Sequence, residues 1–177
     1  MRFPKAALLI TAMVLSSQAM AKDYIRSWCA PEEPAPAVAP TATVSRVERI
    51  ELSADALFRF NQSSVQDILP QGKAKLDELA GSLNNRGATV DSISVVGHTD
   101  RLGSEQYNYN LGLKRAETVR SYLQSQGVQS PINVGSAGES QPVTTDCVGT
   151  KPTAALKACL QPDRRVTVEI TGSAPAP

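Results

Sequence analysis

Asp100 and Arg115 are the charged side chains best placed for recognition chemistry. Asp100 ends the run Gly97-His98-Thr99-Asp100, where an apolar stretch gives way to a turn through Gly103, and Arg115 follows fifteen residues later. Arg115 is read as lying near the start of the main helix, in or near its first turn. There the helix macrodipole disfavours a cation by a few tenths of a kcal/mol or more. The same helix start would offer unpaired backbone N–H groups to a carboxylate, and Asp100 offers a carboxylate to a cation. An amino-acid head group, with ammonium and carboxylate on one carbon, matches both. A salt bridge between the two side chains is the plainer alternative, and exposed pairs of that kind contribute little.

Other chemistry finds less support. His98 is the sole histidine, and no nucleophile partner is recognisable, so it is assigned a structural role. Neither a Gly-x-Ser-x-Gly elbow nor a Cys-His set is present. The expectation is therefore a non-enzymatic protein with no metal and no cofactor. Cys147 and Cys159 share one polar stretch and would pair in an oxidising compartment. Cys29 is left over, as a lone thiol or an intermolecular bridge. Arg164 and Arg165 follow Asp163, for which a local salt bridge is the default and a secondary ligand contact the lesser reading.

The elements that must position these residues alternate in period. Val47 to Phe60 is β-like, with Ile50, Leu52, Phe58 and Phe60 at even spacing. Pro70 opens a helix whose apolar stripe is Leu76, Leu79, Ala80 and Leu83, with Gly87 as its stop. Val90 to Gly97 is a second strand, and Ser104 to Gln126 a second helical region ended by Gly127. Ile132 to Ala137 and Arg165 to Thr171 complete the order β-α-β-α-β-loop-β. This is an α+β fold, an α/β sandwich in which helices cover a small mixed sheet.

The flanks set the compartment. Arg2 and Lys5 precede the apolar run Ala6 to Leu15, and Ala19-Met20-Ala21 has the small-x-small pattern of a signal peptidase site. That run is well short of the roughly 20 residues of a membrane span. Residues 1–21 are expected to be a signal peptide, 22–45 a Pro/Ala-rich linker, 46–172 the domain and 173–177 a disordered tail. Losing Arg2 and Lys5 takes the formal charge from +1 to −1, which lacks the footprint of a nucleic-acid binder. Alternating ten-residue segments of an outer-membrane barrel are also missing.

The string Gly97-His98-Thr99-Asp100-Arg101-Leu102-Gly103-Ser104, then Tyr107-Asn108, Leu111, Arg115-Ala116, Val119 and Tyr122-Leu123, resembles the signature of OmpA-like (OmpA/MotB C-terminal) peptidoglycan-binding domains. The likeness runs from Phe58-Arg59-Phe60 to Asp163-Arg164-Arg165-Val166. It implies that Asp100 and Arg115 hold the diaminopimelate of the peptidoglycan stem peptide, one at its ammonium and the other at its carboxylate. Thr99 would present a hydroxyl or backbone N–H to the ligand carboxylate, or only shape the turn. Asn108 would bond the ligand or, preferentially, the Asp100 loop. At Gly112 the family usually has Ser or another capping residue. The Cys147–Cys159 stretch resembles an insertion of enterobacterial-type members, consistent with a disulfide. The expected place is the periplasm of a Gram-negative bacterium, at the cell wall and peripherally at the outer membrane. The alternative is a structural partner of an outer-membrane porin or other envelope protein, or a self-dimer, docking through the Pro-rich arm and Cys29.

Overall fold

The computed structural model describes residues 43–86 and 89–175. The expected signal peptide, most of the linker, Cys29 and Gly87 lie outside them. Four strands form one open sheet: β1 (Thr43–Ser53), β2 (Val90–His98), β3 (Ile132–Gly138) and β4 (Arg165–Pro175). Their order is β1-β4-β2-β3. β4 is antiparallel to both β1 and β2, whereas β2 and β3 run parallel. A parallel neighbour needs a crossover, supplied here by the long helix between β2 and β3. The α+β architecture expected from the alternation of periods is the one observed.

The helices are α1 (Ala54–Leu57), α2 (Pro70–Arg86), α3 (Glu105–Ser125) and α4 (Ala154–Cys159). On α2 the residues Leu76, Leu79, Ala80 and Leu83 are buried, and on α3 Ala116, Val119, Tyr122 and Leu123. Both stripes meet Ile93, Val95, Val166, Val168 and Ile170 on one sheet face, as helical and two-residue periods dictate. Tyr122 donates its hydroxyl to Asp77 at 2.6 Å, tying α3 to α2. Ser104 caps α3 by accepting the Tyr107 N–H. Gly127, at φ +89, ends it in the left-handed region that glycine enters without strain.

Three local expectations are corrected. Phe58 and Phe60 are not part of the first strand. Ser53 faces Arg165, the first residue of β4, so the ladder ends there, and the helix-forming Ala54-Asp55-Ala56-Leu57 turns the chain away. Gly112 is not a cap but a buried position inside α3. A Cβ on Gly97 would overlap the Gly112 backbone, and one on Gly112 would strike Ser136 Oγ. The pair of glycines therefore lets the helix lie directly on β2 and β3. It follows that Arg115 is not in a first turn. It lies ten residues into α3, about 15 Å along the axis, and the macrodipole plays no part in its setting.

Candidate functional site

A cleft of about 90 Å³ opens where β2, α3 and the segment after α1 meet, lined among others by Asp55, Thr99, Asp100, Asn108, Arg115 and Arg164. Pockets that enclose a whole drug-sized ligand span roughly 300–1,000 Å³, so this one fits the end of a chain. Asp100 stands just past β2, because its neighbour Thr99 donates its backbone N–H to Gly138 O at 2.9 Å and prolongs the sheet. With that N–H engaged, Thr99 has only its hydroxyl to offer. The hydroxyl oxygen is buried and has no hydrogen-bond partner among the described residues.

Arg115 is 3% exposed. Its Nε donates to Gln62 O at 3.0 Å, and its guanidinium lies 5.7 Å from the Phe58 ring centre. No carboxylate among the described residues pairs with it, and Nη1 lacks an acceptor. Burial pulls its guanidinium below the ordinary value, with Asp55 the main charge working against that, yet an arginine stays protonated. Burying a charge without a partner costs several kcal/mol. Arg115 is thus a desolvated cation with unused donor capacity, facing a cleft.

Asp100 and Arg115 do not form a salt bridge with each other. Asp100 Oδ1 accepts the Leu102 N–H at 2.9 Å, and Oδ2 accepts Arg164 Nη1 at 2.7 Å. Arg164 also holds Asp55, through Nε at 3.0 Å and Nη2 at 2.6 Å. Hydrogen bonds to Asp55 lead the effects that raise the Arg164 guanidinium above its ordinary value. The local Asp163 bridge expected for Arg164 is therefore replaced by Asp55 and Asp100. Asp163 instead accepts from Val143 N, Thr144 N and Thr144 Oγ1. Asp55 is a member of the site that the sequence did not suggest, and Arg164, for which a ligand contact was only the lesser reading, lines the cleft as well. The usable signal was parity: Arg164 shares the even positions of Val166, Val168 and Ile170, which face the helices.

Asn108 lines the cleft and is buried, but its amide donates to Glu139 rather than to the Asp100 loop. His98 lies behind the site, with Nε2 3.0 Å from Thr167 Oγ1 on the sheet face away from the helices. Burial first, then the charge of Arg165, push its imidazole down to about 4. The Cys147–Cys159 disulfide is formed, and the loop it closes contributes Pro152 and Lys157 to the cleft wall. Among the described residues no helix is long and apolar enough to cross a membrane.

In charge, the cleft has two halves. Asp55 and Asp100 share one arginine, leaving one surplus negative charge, while Arg115 is an unpaired positive one. Such a pair of sites suits a zwitterion.

The family model of the OmpA family matches residues 57–157. Outer membrane protein A of Salmonella typhi is 43% identical over 80% of this chain, which spans only 41% of that relative's length. Among solved structures, the peptidoglycan-associated lipoprotein from Burkholderia pseudomallei is 28% identical, with a TM-score of 0.50 over 67% of this chain and 88% of that one. The periplasmic domain of Helicobacter pylori MotB is 19% identical, with a TM-score of 0.56 over 72% of this chain and 77% of that one, a likeness of fold. With the signature string folded around one cleft and the family match spanning more than half of its length, the chain belongs to the OmpA family.

Proposed function

We propose that this domain holds peptidoglycan non-covalently, as an anchor between the cell wall and the outer envelope. Its cleft takes the free amino-acid head of diaminopimelate in the stem peptide. Arg115 Nη1 and the Thr99 hydroxyl receive the carboxylate, and the ammonium lies against Asp100 and Asp55. The observation that carries this reading is that the buried, unpaired Arg115 guanidinium and the unpartnered Thr99 hydroxyl line the same cleft. The 28% identical Burkholderia protein is named for association with peptidoglycan, which supports the same class of ligand. The names of the outer membrane protein A relatives support an envelope location, and the 1–21 leader pattern is read as the export signal of the domain of residues 46–172.

Co-sedimentation with purified sacculi tests it. Diaminopimelate-type sacculi should bring the protein down. Lysine-type sacculi, whose side chain lacks the second carboxylate, should not. Asp100→Ala and Arg115→Ala should each abolish pelleting while a thermal melt still shows a cooperative fold. Equal pelleting with both kinds of sacculi, or by both folded variants, would sink the assignment.

A further inference from the structure

Lys157 contributes a charge that the zwitterion does not use. It belongs to α4, inside the loop closed by the Cys147–Cys159 disulfide, and lines the cleft together with Phe60. Its backbone carbonyl accepts Arg164 Nη1 at 3.0 Å, the same nitrogen that holds Asp100. The lysine is thereby tied to the floor of the site. Its ammonium stands 5.5 Å from the centre of the Phe60 ring, and no carboxylate among the described residues pairs with it. The cleft lining holds two carboxylates, Asp55 and Asp100, against three cations, Arg115, Lys157 and Arg164. A bound head group, neutral overall, leaves that surplus of one positive charge uncompensated at the rim.

Phe60 gives the surplus a direction. It is 71% exposed, unusual for so large an apolar side chain, and it lines the cleft beside Lys157. A cation held over an aromatic face keeps its hydrogen-bond donors for a further acceptor. We infer that Phe60 and Lys157 form a second subsite, where the ring packs on the ligand's methylenes and Lys157 takes a carboxylate further along the same peptide. This rests on the stem-peptide reading above and adds that the domain prefers stem peptides whose outer carboxylates are free over amidated ones.

The test is calorimetric titration of the purified full chain with two probes. One is L-Ala-γ-D-Glu-meso-diaminopimelate. The other is the same peptide with its glutamate and L-centre carboxylates amidated. The unsubstituted protein should bind the acidic peptide about three- to fivefold more tightly, the scale of an exposed ion pair. Lys157→Gln should erase that preference, leaving affinity for the amidated peptide unchanged, and Lys157→Arg should keep it. Equal affinity of the unsubstituted protein for both peptides, or a preference surviving in Lys157→Gln, overturns the subsite alone. Failure to bind either peptide overturns both the subsite and the stem-peptide reading.

Discussion

Asp100 and Asp163 are both buried, at 9% and 2% exposure, yet their surroundings differ. Both Asp163 oxygens are spent on Val143 and Thr144, so the carboxylate fastens a loop to the start of β4. Asp100 has one oxygen on the Leu102 N–H and one on Arg164, and lines a cleft whose other side carries an unpaired arginine. Under the proposed function, what separates a structural charge from a receptor is therefore not burial. It is whether the protein itself satisfies the whole charged group and its neighbours.

Substitutions can break this contrast. The largest effect is expected at Arg115. Truncation to Ala should cost binding roughly 2–5 kcal/mol, as for one partner of a desolvated recognition pair. Relieved of an unpaired buried charge, the fold should lose far less. Titration of the same peptide probe alongside a thermal melt separates the two quantities, and a collapse of the fold with binding intact would invert the assignment.

Asp163→Ala should do the reverse. Losing three hydrogen bonds to a buried carboxylate is worth about 3 kcal/mol of stability, seen in chemical denaturation, with peptide affinity per folded molecule preserved. A weakened affinity in the folded fraction would mean that the two clusters are coupled.

His98 sharpens the structural side. Burial depresses its imidazole to about 4, from an ordinary value near 6.5. Its contribution is complete above pH 6.5 and is lost as the pH falls towards 4, because the unfolded chain takes up a proton that the folded one refuses. The loss should reach up to about 3 kcal/mol at pH 4. Denaturation midpoints between pH 7 and 4 should flatten in His98→Gln, and an unchanged slope would disprove it. The smallest effect is expected at Thr99. Thr99→Val should leave stability nearly unchanged and weaken peptide binding by about 1 kcal/mol, the worth of one hydrogen bond.

The fold was legible where local pattern and tertiary contact agree. Leu76, Leu79, Ala80 and Leu83 repeat at helical spacing and are the face that α2 buries. Val166, Val168 and Ile170 alternate and reach the same core. Asp100 was located correctly at a strand's end because the apolar run stops there. Gly112 does not read as a packing residue because a glycine there looks like punctuation, while its cause is Gly97, brought against it by the sheet. Arg164 was misassigned for a similar reason. Its partner Asp55 lies more than a hundred residues earlier in the chain, and only the pairing of β1 with β4 makes them neighbours.

That same pairing has a mechanical consequence. β1 runs from Thr43, opposite Pro175, to Ser53, opposite Arg165 and next to Asp55 in the cleft. β1 therefore begins at the end of the sheet remote from the cleft. Under the proposed function, tension applied at Thr43 against a bound wall would act along β1, across hydrogen bonds that lie perpendicular to the strand. The rungs would carry the load together in shear, rather than opening one after another as in a zipper pulled from its end.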